Sequence, residues 1–240
     1  MSEIFVLIPG AWHGGWSWRL VAEHLRAAGH RVLTPTLPGL ADGDDPTRYG
    51  LADAADFIVD LVEREDLRNV TLVAHSWGGY PVTGAAPRLA SRLRKIVYFS
   101  AFIPAAGVPM IDELPPHFKG LFLEIAAASG NDTVLLPYEA FAGGFMQDAE
   151  ENVQRLVHSL LVAQPLRYFT ETVAPIDPVA LGIPVSYVLA DEDVSLPPGE
   201  WGWLPRFPRR LGDVAVIDTP GSHEAQFTRA AELAETLLKA

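Results

Sequence analysis

Ser76 stands in the segment Val70-Thr71-Leu72-Val73-Ala74-His75-Ser76-Trp77-Gly78-Gly79. An apolar run of strand type leads into small-x-Ser-x-Gly, and helix-forming residues follow. This is the nucleophile-elbow pattern, with Ala74 where glycine is more usual. It presents a serine hydroxyl on a sharp strand-to-helix turn. The residues two before and two after the serine must be small, because the strand and helix backbones pass close together there. The hydroxyl then lies at a helix N-terminus, where free N–H groups and the helix dipole favour developing negative charge. The backbone N–H of Trp77 is the expected first oxyanion-hole donor. An ordinary capped turn would share the bare pattern, but the flanking apolar strand and His75 favour chemistry.

A second donor has to come from the loop after the first strand. That loop is Pro9-Gly10-Ala11-Trp12-His13-Gly14-Gly15-Trp16. Its glycines let the backbone turn N–H groups toward a ligand, and the Ala11 N–H takes this role. Trp12 is expected at the substrate pocket. His13 reads as a structural hydrogen-bonding residue of the loop rather than a base.

A serine nucleophile needs a base, and the base needs an acid to fix its tautomer. Of the seven histidines, His223 is singled out by context. It follows a strand and the loop Thr219-Pro220-Gly221-Ser222, and it precedes the last helix. A loop after a parallel strand opens on the same sheet edge as Ser76. The acid loop is Ala190-Asp191-Glu192-Asp193, directly after another strand. Asp193 has room to turn back toward His223, and Asp191 is the competing candidate. The chain order serine, acid, histidine is kept by either.

The elements that must position these residues alternate along the first hundred positions. Strands are expected at 4–8, 31–34, 70–74 and 96–100, and helices at 16–28, 51–65 and 78–90, with Pro81 in the first turn of the last. Continuous apolar strands between helices imply a parallel sheet covered on both faces. From about 104 to 180 the rhythm breaks into helical pieces (120–128, 149–162, 166–173) with no clear buried strand. Strands resume at 185–189 and 214–217, and a helix at 225–238 closes the chain. The expectation is one α/β domain over 1–240, with a helical cap inserted at about 104–180.

The bulk properties fit an enzyme of this size. The chain has 240 residues, 49% of them apolar, and a formal net charge of −12. That charge repels phosphate backbones and anionic membrane surfaces, so neither nucleic acid nor membrane is an expected partner. With no cysteine, thiolate catalysis, thiolate metal sites and disulfides are excluded. No basic leader and no stretch of about 18 apolar residues is present, so the expected compartment is the cytoplasm. A homodimer is expected on base rate alone.

These residues resemble the plant methylesterase and hydroxynitrile lyase branch of the α/β-hydrolases, with its bacterial esterase relatives. Pro-Gly-Ala-Trp-His-Gly-Gly-Trp-Ser-Trp at 9–18 is similar to that branch's oxyanion loop, and Ala-His-Ser-Trp-Gly-Gly at 74–79 to its elbow. Ala-Gln-Pro-Leu-Arg-Tyr-Phe at 163–169 resembles its cap region. Tyr-Val-Leu-Ala-Asp-Glu-Asp at 187–193 resembles its acid loop, whose last acid is catalytic, which favours Asp193. Gly-Ser-His at 221–223 fits its histidine loop. Two departures stand out. The lyases have a lysine directly after the catalytic histidine, where this chain has Glu224, which would repel cyanide. Trp77, and Trp201 and Trp203 beyond the acid loop, are bulkier than the plant pattern.

The resemblance implies an α/β-hydrolase fold and ester cleavage by Ser76, His223 and Asp193, with Ala11 and Trp77 as oxyanion-hole donors and no metal or cofactor. The substrate expected is a small hydrophobic ester, lactone or thioester. Phe102, Phe118, Leu121, Phe122, Phe145 and Met146 are the candidates to line its pocket with Trp12. The alternatives are a hydroxynitrile lyase or C–C-cleaving enzyme on the same fold, and a ligand-binding protein without turnover.

Overall fold

A computed structural model describes residues 2–174 and 177–240. Met1 and positions 175–176, the latter inside the predicted insertion, lie outside the described residues. Six parallel strands form the main sheet: β1 (Ile4–Ile8), β2 (Arg31–Leu33), β3 (Val70–His75), β4 (Leu93–Phe99), and two that follow the insertion. Within the insertion β5 (Thr133–Val134) and β6 (Gln164–Pro165) pair antiparallel. β7 (Val185–Ala190) and β8 (Val216–Thr219) then complete the main sheet, whose order is β2-β1-β3-β4-β7-β8.

The alternation of side chains along a strand explains the layers. Phe5, Leu7, Val73, Val97 and Phe99 face α1 (Arg19–Ala27) and the closing helices, packing with Trp18, Val21 and Leu25. Val6, Ile8, Leu72, Ala74, Ile96 and Tyr98 face the other way, into the larger core with α2 (Leu51–Arg64) and α3 (Gly79–Leu89). Pro81 does lie in the first turn of α3, where a missing N–H leaves no broken bond.

The insertion carries α4 (Pro116–Ser129), α5 (Tyr138–Phe145), α6 (Glu151–Ser159) and α7 (Arg167–Thr170). The small β5·β6 sheet within it is a difference from the sequence expectation. Two-residue strands leave no readable alternation. The closing helix is also broken, into α8 (Ala225–Thr228) and α9 (Ala230–Lys239), at Arg229 with φ −136°. No helix among the described residues is long and apolar enough to cross a membrane.

Candidate active site

Four loops meet at the C-terminal ends of the parallel strands, where sheets of this kind bind ligands. Ser76 follows β3 and has φ +52°. A left-handed conformation costs a non-glycine residue roughly 1–3 kcal/mol, and here the surrounding packing holds it. A Cβ on Gly78 would lie 2.7 Å from the carbonyl oxygen of Pro9. The requirement for a small residue at that position is therefore a backbone-to-backbone approach. His75 is fully buried, and its Nε2 lies 3.0 Å from the carbonyl oxygen of His223. A carbonyl can only accept, so His75 carries its proton on Nε2. Burial first, then the neighbouring His223 and His13, hold His75 well below the ordinary histidine range.

His223 follows β8. Its Nδ1 lies 2.7 Å from Asp193 Oδ2, and both side chains are almost wholly buried. Burial alone would pull the histidine down. The Asp193 charge and hydrogen bond, with the Glu224 charge, outweigh it and raise His223 above the ordinary value. Burial likewise pushes Asp193 up, but His223 and the Ser195 donors bring it below the ordinary carboxylate value. Asp191, the competing candidate, is exposed and accepts the Gly221 N–H at 3.1 Å, which shapes the histidine loop instead. The geometry thus pairs Asp193 rather than Asp191 with His223.

The loop after β1 that carries Ala11 is pinned from several sides. A Cβ on Gly10 would lie 3.1 Å from Ser76 Cβ and 2.8 Å from His75 Nδ1, so the loop presses directly on the elbow. Ala11 and Trp12 follow, and Trp12 has φ +67°. Its N–H donates to Gln164 Oε1 at 2.8 Å, and its carbonyl accepts from the Val162 N–H at 3.0 Å. Both partners come from the insertion. His13 Nδ1 lies 2.7 Å from the carbonyl oxygen of Ala11, the structural hydrogen bond expected of it.

A cavity of about 120 Å³ joins these groups. Ala11, Trp12, Ser76, Phe102, Phe118, Leu121, Phe122, Phe145 and His223 line it, together with Met110, Leu114, Leu136, Val194, Ser195, Leu196 and Trp203 among others. Its walls are apolar apart from Ser76, Ser195 and His223. Met146 is a correction. It is fully buried but does not line the cavity. Phe145 closes α5 and faces the cavity, whereas Met146 has left the helix, at φ −138° and ψ 36°, and turns into the core.

Trp77, bulkier than the plant pattern, turns that bulk away from the cavity. Its side chain lies outside the cavity wall, stacked on Tyr168 at 4.8 Å and 19°, with its indole N–H donating to the Tyr168 carbonyl at 2.8 Å. Its bulk fills core rather than substrate space. Trp201 does not line the cavity, whereas Trp203 does. Trp203 lies against the His223 ring at 5.6 Å and 13°. The Glu224 carboxylate bonds Gln226 and faces His13, and it too is absent from the wall. It neither repels an anion in the cavity directly nor supplies a cation there.

Three site neighbours escaped the sequence reading. Ser195 Oγ donates to Asp193 Oδ1 at 2.6 Å and lies 3.1 Å from His223 Nδ1. An Asp-x-Ser spacing allows such a turn, which is the one signal that could have found it. Gln164 and the His75–His223 contact bridge positions more than 140 apart in the chain, and nothing local announces them. His75, His223 and Glu224 each bring one nitrogen or oxygen within 4.8 Å of the others. His75 Nε2, His223 Nδ1 and Glu224 Oε2 are engaged with the His223 carbonyl, Asp193 and Gln226 respectively, while His75 Nδ1 has no hydrogen-bond partner among the described residues.

Residues 5–236 match the alpha/beta hydrolase family. Among curated proteins, the chain is 43% identical over 128 residues to the carbendazim hydrolyzing esterase of a Nocardioides species, covering 51% of this chain and 50% of that one. It is 38% identical over 106 residues to methylesterase 4 of Arabidopsis thaliana, covering 42% and 40%. These two matches therefore span half or less of the relatives' own lengths. A pyrethroid hydrolase of Sphingobium wenxiniae is 27% identical over 244 residues, covering 97% of this chain and 85% of that one. Among solved structures, an extracellular alpha/beta-hydrolase from a Paenibacillus species superposes with a TM-score of 0.95 at 29% identity, covering 99% and 98%. That protein is described as sharing structural and functional homology with tobacco salicylic acid binding protein 2.

Proposed function

Because the chain belongs to the alpha/beta hydrolase family, we propose that it is a serine hydrolase cleaving a small hydrophobic ester, lactone or thioester through an acyl-enzyme. One observation carries the reading. Ser76, held at φ +52° on the elbow, opens on the same apolar cavity as His223, whose far nitrogen is bound by the buried Asp193 carboxylate. Similarity to proteins named as an esterase, a methylesterase and a pyrethroid hydrolase supports it.

In this mechanism Ser76 Oγ attacks the carbonyl carbon while its proton passes to His223 Nε2. The negative oxygen of the tetrahedral intermediate is held by the Ala11 and Trp77 N–H groups. His223 returns the proton to the leaving alcohol or thiol, or to the alkoxide end of an opened lactone. It then deprotonates the water that releases the acid. Asp193 keeps the imidazole in the tautomer with Nδ1 protonated and stabilises the imidazolium. The apolar walls select a hydrophobic acyl group.

The test is hydrolysis of p-nitrophenyl acetate and butyrate, followed as nitrophenolate release, with Ser76→Ala and His223→Ala alongside and a fluorophosphonate label on Ser76. Turnover by the wild type, with losses of at least ~10³-fold in both variants, is the expected result. A wild type that neither turns over nor labels would leave a non-catalytic ligand-binding role as the better reading.

A further inference from the structure

We propose that Glu224 and His13 form a buried link that sets the oxyanion loop in register with the histidine loop, making both positioning residues. The inference rests on the serine hydrolase reading above and extends it to two side chains outside the cavity wall.

The geometry begins at Ala11. Its carbonyl oxygen lies 2.7 Å from His13 Nδ1, and because a carbonyl only accepts, His13 carries a proton there. The opposite nitrogen, His13 Nε2, is buried and has no hydrogen-bond partner within 3.5 Å among the described residues. What faces it is Glu224 Oε2 at 3.6 Å. The Trp16, Phe141 and Phe227 rings also surround His13, at 5.5, 6.2 and 6.0 Å, and the buried His75 is a further neighbour. A bare nitrogen lone pair aimed at a carboxylate oxygen would be repulsive, and burial would deepen the repulsion. A proton between Nε2 and Oε2 turns the same geometry into an attractive, charge-assisted contact.

The chain of contacts then runs from Glu224, the residue directly after the proposed base, through His13 to the Ala11 carbonyl. On the other side of that peptide, the Trp12 N–H is fixed by Gln164. The Ala11–Trp12 peptide plane is thus held by one bond from the histidine loop and one from the insertion. The adjacent Gly10 presses on Ser76. The N–H proposed to meet the oxyanion lies in the preceding Gly10–Ala11 peptide, joined to the held plane at the Ala11 Cα, so a rotation of the held plane is passed on to it. Ground-state binding in the apolar cavity does not depend on that contact, so loss of the link should appear in kcat rather than KM.

The experiment compares E224A, E224Q and H13N with wild type on p-nitrophenyl butyrate, with thermal melts to verify folding. H13N keeps a donor for the Ala11 carbonyl but cannot reach Glu224. E224A and H13N should each lower kcat roughly 10- to 100-fold with KM nearly unchanged, and the double variant should be no worse than either single. E224Q should lose about as much as E224A, because the one atom at the Oε2 position both accepts from Gln226 and faces His13 Nε2, and without the charge its oxygen meets a bare nitrogen. Full activity in E224Q would overturn the link, since the charge-assisted contact would then be dispensable. Additive losses in the double variant, or losses confined to KM, would overturn it as well. If E224A fails to fold, H13N and E224Q carry the same comparison. A wild type with no turnover sinks both this inference and the hydrolase reading, whereas an active wild type with unaffected variants sinks this inference alone.

Discussion

His223 Nδ1 lies 2.7 Å from Asp193 Oδ2 with both side chains almost wholly buried, so the two groups titrate as a coupled pair. The carboxylate raises His223 above 6.5 despite burial. A general base works only when neutral, so kcat/KM should fall as pH drops through that raised value. The acid limb of the profile is expected above the ordinary histidine value of about 6.5. D193N removes the charge and leaves burial in force. Its acid limb should move to lower pH, with a plateau kcat reduced by on the order of 10³–10⁴. An unmoved limb in D193N would show that another group controls the profile.

The same pair predicts a pH window for stability. Asp193 is lowered below 3.8, so its contribution is present above that value and lost as pH falls through its folded value. His223 is raised above 6.5, so its contribution is full below 6.5 and lost as pH rises through its folded value. The Tm difference between wild type and D193N should therefore be largest from about pH 4 to 6.5 and shrink on either side. Melts across pH 3–9 check this, and a difference that grows steadily above pH 7 would refute the assignment.

Ser195 ties the Asp193 carboxylate down through both its hydroxyl, at 2.6 Å, and its N–H, at 3.0 Å. S195A removes the first and keeps the second. One hydrogen bond to a charged group contributes roughly 1.5–3 kcal/mol, and partial retention through the N–H places the effect at the low end. The expected outcome is a fall in kcat of about tenfold with little change in KM. A loss as large as that of D193N would mean that Ser195 itself takes part in proton transfer.

The strands and the elbow were legible because their signals are local. Continuous apolar runs mark β1, β3 and β4, and Ser76 is flanked by residues whose smallness has a single steric cause. The chain order of Ser76, Asp193 and His223 follows from strands that all point one way. What was illegible depends on approach between distant segments. Gln164 reaches Trp12 across 152 positions, and Glu224 meets His13 only after the sheet has closed. Met146 was misplaced because an apolar residue beside Phe145 has the right chemistry and the wrong angle. The bulk of Trp77 is visible in the sequence, while the Tyr168 it stacks on is not.

Two glycines should respond oppositely to alanine. At Gly78 a Cβ would sit 2.7 Å from the Pro9 carbonyl, a backbone atom that cannot step aside. Overpacking of this kind costs roughly 1–3 kcal/mol, so G78A should lower Tm by about 2–12 °C and depress activity by shifting Ser76. Gly120 lies inside α4 with nothing within 4 Å of the added carbon. G120A should be stabilising by about 0.5–1 kcal/mol. Calorimetric melts of both variants decide it, and a stabilising G78A would contradict the close approach at the elbow.

Trp203 should set acyl-chain selectivity. Its ring lies parallel to His223 at 5.6 Å, packs edge-on to Phe102 at 5.0 Å, and forms part of the cavity wall. Truncation therefore does two things. It deepens the cavity beside the reacting centre, and it removes an aromatic face that supports the imidazolium as it forms. The first effect favours longer acyl groups, since each added methylene that finds apolar surface is worth about 0.8 kcal/mol. The second slows every substrate alike. For W203A, kcat/KM for p-nitrophenyl acetate should fall about tenfold, while the ratio of hexanoate to acetate should rise about tenfold. The ratio isolates the cavity from the chemistry, because any loss of support for His223 cancels in it. If the ratio stays at its wild-type value while both rates fall, Trp203 acts on the histidine alone, and the acyl group must bind toward Phe118 and Phe122 instead.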